Sequence, residues 1–235
     1  AALTNGLLIM GRIKGAKRPA LAGIVPVING RCVMLDLGAN SVCKSEHLYQ
    51  FGIMGSVYAQ KVLGIVSPKV ALLSTGEEAG KGNLLTQDAY TMLSQNSALN
   101  FVGNIEGREL FEGAADVVIA DGFTGNIAIK VTEGVATMVV TMIKDAFMSS
   151  PLAMLGGTLA RRAMRETQKQ FDPNEYGGVP LLGLDGIAIV AHGRSNGRAI
   201  RSAINVAIEA ITHDMLDETR ALLSEMLTTE DNQGR

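Results

Sequence analysis

Glycines and polar residues gather at four places where an apolar run of the chain ends. Residues 74–83 hold three glycines, two adjacent carboxylates and Lys81, and residues 121–126 hold two glycines, one aspartate and one asparagine. Two further segments of this kind, residues 103–108 and 192–198, follow other apolar runs. Glycine adopts backbone angles closed to other residues, so such loops can present free N–H groups, to which a lysine adds positive charge. This chemistry suits an anionic substrate.

The elements that position these loops alternate between strand, polar loop and helix, and residues 183–191 are expected to form the last of these strands. Residues 70–73, for example, form a short apolar run that is typical of a strand buried on both faces of a parallel sheet. Ligands bind such sheets beyond the carboxyl ends of the strands, where the loops share a crevice. We therefore expect an α/β fold of three layers, with helices on both sides of a mostly parallel sheet. The pocket is expected to bring together Lys81, Asp121, Asn126 and His192.

Composition and spacing argue against several functional classes. A formal charge of −2 gives no overall basic field for nucleic acid, and no apolar run approaches the roughly 20 residues that a membrane span needs. Two cysteines are too few for a disulfide framework, and no Cys or His spacing indicates a metal. Residues 75–82 lack the spacing of a nucleotide phosphate loop, because Thr75 and Gly82 stand at its key positions. The glycine pattern of nicotinamide nucleotide sites is also missing.

Periodicity predicts several other elements. The dipeptide Asn29-Gly30 between two apolar runs predicts an antiparallel hairpin. Residues 46–63 carry apolar side chains at near-helical spacing, and Gly52 and Gly55 within them indicate close helix packing. Further helices are predicted at 86–94, at 126–147 and from 199 onward, and Asn126 is the predicted N-cap of the second. The last of these helices carries an isoleucine stripe that is typical of core or dimer packing: Ile200, Ile204, Ile208 and Ile211.

The middle of the chain carries two candidate contact surfaces. Residues 126–147 are apolar on several sides, so this helix is expected to be central or to meet a partner. Residues 151–157 are apolar and are predicted to form a loop, and a basic helix follows. We expect residues 149–175 to project as an apolar tip over this helix and to contact a membrane or an acidic carrier protein. The contact residues are Leu152, Met154, Leu155, Arg161, Arg162, Arg165 and Lys169.

Several motifs resemble those of one enzyme family. They are the Thr-Gly-Glu-Glu of residues 75–78 with the Gly-Lys-Gly-Asn of 80–83, the Asn-Phe-Val-Gly-Asn-Ile-Glu-Gly-Arg of 100–108, and the Asp-Gly-Phe-Thr-Gly-Asn of 121–126. Residues 11–21, 35–40 and 182–193 extend the match over nearly the whole chain. Together these motifs closely resemble the bacterial phosphate acyltransferases of phospholipid synthesis, the PlsX family.

The resemblance implies transfer of a long-chain acyl group from acyl carrier protein to inorganic phosphate, which gives acyl phosphate. It implies the fold of the isocitrate and isopropylmalate dehydrogenases and of phosphotransacetylases, a homodimer and no cofactor. The low cysteine count fits a reducing cytoplasm, and the apolar tip with its basic helix predicts peripheral contact at the inner face of the cell membrane. Family members begin with an Asp-Ala-Met-Gly-Gly-Asp strand and a later Ser-Ala-Gly-Asn-Thr-Gly loop, neither of which stands in residues 1–235. We therefore expect a single catalytic unit that lacks the family's first third.

The reaction needs a cradle for phosphate, a donor for the oxyanion and an apolar slot for the chain. We assign Lys81 and the amides of residues 80–83 to phosphate, Asn126 and the Gly125 amide to the oxyanion, and Asp121 to orienting Lys81 or phosphate. His192 ranks below them, because a thiolate leaves without strong acid catalysis. The other substrate-binding candidates are Gly76, Glu77, Gly80, Gly82, Asn83, Asn104, Gly122, Thr124, Gly193, Ser195 and Asn196.

Two other functions remain open at this stage. The same cradle would serve a phosphotransacetylase that uses acyl coenzyme A, and binding of the carrier protein or of coenzyme A discriminates between the two enzymes. A noncatalytic module that binds a membrane or a carrier protein is the alternative from another class, and a phosphate-dependent acyl transfer assay separates it from both.

Overall fold

A five-stranded sheet forms the centre of the computed structural model, which describes residues 2–28, 30–170, 178–191, 193 and 195–233. In spatial order its strands are β2 (Gly23–Val27), β3 (Gly30–Leu35), β6 (Val117–Ile119), β4 (Lys69–Leu73) and β5 (Asn100–Ile105). The last four are mutually parallel, and β2 pairs antiparallel with β3. The sheet is therefore mostly parallel, as expected.

The predicted hairpin is confirmed by the pairing of β2 with β3. Val27 lies opposite Gly30, and Gly23 lies opposite Met34 at the other end. Asn29, the first residue of the predicted turn, lies outside the described residues.

Helices flank this sheet on both faces. The helices of the described residues are α1 (Ala2–Ile9), α2 (Ser45–Lys61), α3 (Leu84–Gln95), α4 (Gly107–Glu112), α5 (Gly122–Met148), α6 (Pro151–Gln170), α7 (Gly197–Thr212) and α8 (Met215–Gln233). Side chains alternate between the two faces of a strand, so each strand feeds two cores. On β3, Val33 and Leu35 pack with α2, α3 and α8, whereas Cys32 and Met34 pack with residues of α4 and α5.

Helix α2 approaches the sheet closely because two of its residues have no side chain. A Cβ atom on Gly55 would lie 2.6 Å from Val117 and 2.8 Å from Leu35, and one on Gly52 would lie 2.9 Å from Leu93 of α3. Real Cβ atoms essentially never come so close. The interpretation of these glycines as packing positions is therefore confirmed.

A second, antiparallel sheet corrects one prediction. Its strands are β1 (Ala20–Leu21), β7 (Val179–Leu182) and β8 (Ile189–Val190), in the order β1, β7, β8. The apolar segment before residue 192 was expected to add a strand to the parallel sheet, but β8 pairs only with β7 among the described strands. The polar loop after β8 therefore does not follow a strand of the parallel sheet.

Helices α5 and α6 form an exposed hairpin. From residue 126 to residue 166 no side chain is buried, and α6 packs on α5 where Gly157 meets the ring of Phe147. Residues 151–157 are helical rather than a loop, because Pro151 suits a first helical position and Ser150 accepts the Ala153 N–H at 3.2 Å. By length and composition alone, α5 is long and apolar enough to cross a membrane. The search for an unbroken apolar run of the sequence did not anticipate this.

Helix α7 settles one open alternative. Its small residues Ala199, Ala203 and Ala210 are buried, whereas the isoleucine stripe from Ile200 to Ile211 is about half exposed, at 44% to 64%. The stripe is therefore not part of the core that the described residues form, and dimer packing stays a prediction.

Candidate active site

The parallel pairing brings four loops to the same edge of the sheet. Strands β3, β6, β4 and β5 run in one direction, so the segments that follow them all leave from their carboxyl ends. The loop that carries Lys81 follows β4, and Asp121 follows β6, which is the neighbour of β4. Lys81 and Asn126 thus belong to adjacent connections at this edge.

Several carbonyls of the loop of residues 74–83 accept hydrogen bonds from within the fold. Glu78 O accepts the Lys81 N–H and the Asn104 side-chain Nδ2–H, both at 2.9 Å. Gln87 Nε2 donates to the carbonyls of Gly80 and Gly82 at 2.8 Å and 3.2 Å. Among the described residues, the amides of Gly80, Gly82 and Asn83 have no partner. These three amides are therefore free to donate, while the carbonyls of Glu78, Gly80 and Gly82 are already bonded.

Helix α3 starts directly after these amides. Its N-cap is Asn83, whose side chain accepts the Thr86 N–H at 3.0 Å. The start of a helix carries a partial positive charge, which adds to that of Lys81. The stem of Lys81 crosses Gly76, since a Cβ there would lie 2.9 Å from Lys81 Cγ. Glycine at position 76 thus makes room for the lysine.

Two buried polar atoms beneath this loop lack partners among the described residues. They are Ser74 Oγ and Asn104 Oδ1, and Asn104 is only 6% exposed. A Cβ on Gly82 would lie 2.8 Å from Ser74 Oγ, so the first residue of the loop packs against its far end. The sequence pattern pointed to Asn104 but not to Ser74. Ser74 is the first residue after a buried strand, which was a usable signal.

The start of α5 differs from that of α3 and corrects the assignment of the oxyanion amide. The N-cap is Asp121 rather than Asn126: its carboxylate accepts the N–H groups of Phe123 and Thr124 at 2.9 Å and 3.0 Å. The Gly122 amide donates to Asn40 O and the Gly125 amide to Asp121 O, both at 2.9 Å. The Gly125 amide is therefore not available to an oxyanion.

Asp121 is also occupied by its own helix. Besides the two amides, it accepts the Thr124 hydroxyl at 2.7 Å. These contacts explain its position in the sequence as a helix cap. Its predicted role in orienting Lys81 or phosphate stays a prediction.

A buried carboxylate that sequence reasoning did not select fixes the neighbouring loop. Asp36 is fully buried, and its Oδ1 accepts the N–H groups of Leu21, Gly38 and Ala39 at 3.0 to 3.2 Å. Its Oδ2 accepts the Asn40 backbone N–H and side-chain Nδ2–H at 2.7 Å and 2.8 Å. The signal for this role in the sequence was an aspartate directly after a strand and before a loop of small and polar residues.

This loop supports the candidate oxyanion donor. A Cβ on Gly38 would lie 3.4 Å from both Cβ and Cγ of Asn126, so the Gly38 backbone packs against the Asn126 side chain. Gly38 has a φ of 121°, which favours glycine. Asp36 therefore holds the surface on which Asn126 rests.

Comparison with known proteins identifies the family. Residues 1–218 match the family model described as "Fatty acid synthesis protein". The chain belongs to this family.

Curated relatives agree with this assignment. The "Phosphate acyltransferase" of Nitratidesulfovibrio vulgaris (strain DP4) is 48% identical over 207 residues, which are 88% of this chain and 60% of the relative. That of Elusimicrobium minutum is 46% identical over 225 residues, 96% of this chain and 66% of the relative. The chain thus spans roughly 60% to 66% of the length of these relatives.

A solved structure supports the fold alone. The branched-chain phosphotransacylase from Enterococcus faecalis V583 aligns with a TM-score of 0.54 and 16% identity, over 86% of this chain and 67% of that chain.

The remaining predicted site residues are spread over other parts of the fold. Glu77 is exposed in the loop after β4. Gly193, Ser195 and Asn196 follow β8 of the antiparallel sheet, and Asn196 caps α7 by accepting the Ala199 N–H at 3.0 Å. His192 lies outside the described residues, so its predicted role is untested.

The predicted contact residues lie on α6. Leu152 is 80% exposed and Leu155 59% exposed, and Arg162 pairs with Glu166 at 3.3 Å. The side chain of Lys169 is not described. Among the described residues, no group of three His, Cys, Asp or Glu side chains could hold a metal ion.

Proposed function

We propose that this chain contributes the phosphate cradle of an acyltransferase that moves a fatty acyl group from acyl carrier protein to inorganic phosphate. Membership of the fatty acid synthesis protein family and relatives named phosphate acyltransferase support this proposal. The observation that carries it is the loop of residues 74–83, with its unpartnered amides beside Lys81.

The proposed chemistry is a direct transfer. A phosphate oxygen attacks the carbonyl carbon of the thioester, a C–O bond forms, and the carbonyl oxygen becomes an oxyanion. The C–S bond then breaks, and the thiolate leaves with the electron pair. Lys81 and the amides of residues 80–83 hold the phosphate charge, while the Asn126 side chain donates to the oxyanion.

The start of α3 suits phosphate better than the start of α5 does. A doubly charged phosphate needs several donors at once, and α3 offers free amides, a helix N-terminus and a lysine. At α5 the amides of residues 122–125 already bind Asn40 or Asp121. Asp121 also adds a negative charge there, which disfavours phosphate.

Replacement of Lys81 tests the proposal. In the complete protein, we expect Lys81→Ala to lower acyl phosphate formation by about 100-fold or more, as loss of one charge-stabilising donor typically does. The measurements are hydroxylamine trapping of acyl phosphate and the KM for phosphate, with acyl carrier protein as donor. Lys144→Ala, an exposed lysine near the end of α5, is the matched control. Near-normal turnover with a normal KM for phosphate would remove Lys81 from the site.

Assembly and location complete the proposal. We propose a homodimer that covers the exposed apolar faces of α5 and α7, because Val131, Val135 and the isoleucine stripe are poorly explained as free surface. The turn between α5 and α6 would then reach the inner face of the cell membrane through Leu152, Met154 and Leu155, with the arginines of α6 near anionic lipid headgroups. The specific similarity to the isocitrate and isopropylmalate dehydrogenase fold is likewise a proposal.

A further inference from the structure

Positive charge is concentrated in the first part of the chain. Residues 1–45 contain six of the 21 Lys and Arg residues but one of the 23 Asp and Glu residues. The rest of the chain therefore holds 15 basic and 22 acidic residues. The single early acid is Asp36, which is buried and bonded to its own loop. A chain with a slightly negative total charge thus has a strongly basic segment.

Five of these cations belong to two segments that meet at the start of α2, and we call them the basic patch: Arg12, Lys14, Lys17, Arg18 and Lys44. The patch is held in place by buried Gln50 of α2. Gln50 Oε1 accepts the Lys17 N–H at 2.7 Å, and Gln50 Nε2 donates to Gly15 O at 2.9 Å. These bonds fix the segment against the first half of α2, where Lys44 is the N-cap.

Contacts link several residues of the patch, and Lys17 has an acidic neighbour. Arg12 donates to Lys17 O, and the Lys44 N–H donates to His47 Nδ1 at 3.1 Å. The pKa of His47 is lowered by burial first and by Arg18 second, in agreement with these contacts. Glu46 raises that pKa and lies 3.8 Å from Lys17.

Hydrogen bonds connect the patch to the candidate active site. Asn40 Nδ2 donates to Pro19 O at 2.7 Å, so the residue after Arg18 is tied to the loop that follows β3. Asn40 O in turn accepts the Gly122 N–H at the start of α5. The patch therefore borders the edge of the sheet where Asn126 lies.

We propose that the basic patch is the docking surface for the acidic protein that delivers the acyl group. This inference rests on the proposed function, which requires a carrier-linked thioester. A group of cations of which four are exposed suits an acidic protein surface, because opposite charges steer the encounter and fix the orientation of the partner. Leu8, Ile9 and Val42 are largely exposed and close to these cations in the sequence, so a lipid surface is the competing partner that the vesicle measurement below tests.

A binding measurement with acyl carrier protein tests the inference without requiring turnover. We expect the double variant Arg18→Glu, Lys44→Glu to raise the Kd at least ten-fold, equivalent to about 1.4 kcal/mol, and to abolish most of its salt dependence. Arg18→Lys with Lys44→Arg keeps the charges and should retain binding. Lys69→Glu with Lys144→Glu changes the net charge equally at exposed positions elsewhere and should bind like the parent. Circular dichroism checks that each variant is folded.

Kinetics separate docking from catalysis. The double variant Arg18→Glu, Lys44→Glu, which we call the reversed patch, should raise the KM for the carrier-linked donor. Its kcat and its KM for phosphate should change little. Transfer from a small acyl thioester, such as an acyl N-acetylcysteamine, should be unaffected.

Each alternative outcome is informative. The inference is overturned if the parent protein does not bind acyl carrier protein, if the reversed patch binds it normally, or if reversal of Arg161 and Arg165 on α6 weakens binding instead. It is also overturned if the reversed patch loses only affinity for anionic vesicles. If binding is lost as expected but no protein forms acyl phosphate, docking stands and the proposed function fails.

Discussion

The network around Asp36 gives the sharpest stability prediction. Its carboxylate is fully buried and accepts five hydrogen bonds, four from backbone amides and one from Asn40 Nδ2. We expect Asp36→Ala to destabilise the fold, because these donors lose a charged acceptor in a place that water reaches poorly.

The magnitude follows from the number and kind of bonds. Hydrogen bonds to a charged group contribute about 1.5 to 3 kcal/mol each, but they are not additive, and the variant no longer has to bury a charge. Asn40 Nδ2 also keeps its bond to Pro19 O. Removal of one partner from a buried charged network typically costs about 3 to 5 kcal/mol, which is the loss we expect here.

Asp36→Asn distinguishes the network from simple loss of volume. The amide keeps the size of the carboxylate, but either orientation turns its NH₂ group toward donors. In one orientation it opposes the two donors of Asn40, and in the other the N–H groups of Leu21, Gly38 and Ala39. We therefore expect most of the loss to persist in this variant, at least about 2 kcal/mol.

Urea unfolding followed by circular dichroism measures these differences, with the m-value checked for constancy. Asp88→Ala, an exposed aspartate on α3, is the control and should change stability by about 0.5 kcal/mol or less. A loss below about 1 kcal/mol in Asp36→Ala would show that water replaces the carboxylate, and the argument for a rigid loop beneath Asn126 would fail.

Two further predictions concern pH and membranes. Burial and Arg18 lower the pKa of His47, whose Nδ1 accepts the Lys44 N–H at 3.1 Å, so its contribution is complete above the ordinary value of 6.5 and declines as pH falls further. Between pH 7.5 and pH 5.5, urea unfolding should show that the free energy of unfolding falls less in His47→Gln than in the parent protein. An equal fall in the two proteins would contradict this prediction. Leu155→Glu should release the dimeric complete protein from anionic vesicles in a sedimentation assay. Continued sedimentation would exclude the tip as anchor, and dissociation into monomers would instead indicate a dimer contact.

The sequence predicted features that depend on neighbours along the chain. The turn signal at Gly30 located the β2–β3 hairpin, and the glycines of α2 indicated close packing, since both follow from local steric rules. The role of β8 was not predictable in this way, because a short apolar run does not identify the strand that pairs with it. Partner choice depends on residues distant in the sequence.

The glycines of the α5 turn show the same limit at the candidate site. Gly122 and Gly125 resembled an anion-binding loop, but a Cβ on Gly125 would lie 2.0 Å from Asp36 O, and one on Gly122 would lie 2.5 Å from Asn40 O. These glycines are thus required by packing against the loop after β3. Their sequence pattern is the same in either case, so only the tertiary contact distinguishes the two uses.

The two helix starts therefore divide the work of the proposed reaction between them. At α3 the loop carbonyls bind Gln87 and Asn104 while amides beside Lys81 stay free, which favours an incoming anion. At α5 the amides are saturated, and what remains is the side chain of Asn126 resting on Gly38. A side-chain donor held by a rigid loop can serve a single oxyanion, whereas phosphate needs several donors. In the proposed reaction, the same edge of the sheet would thus hold the nucleophile and the carbonyl that it attacks at separate positions.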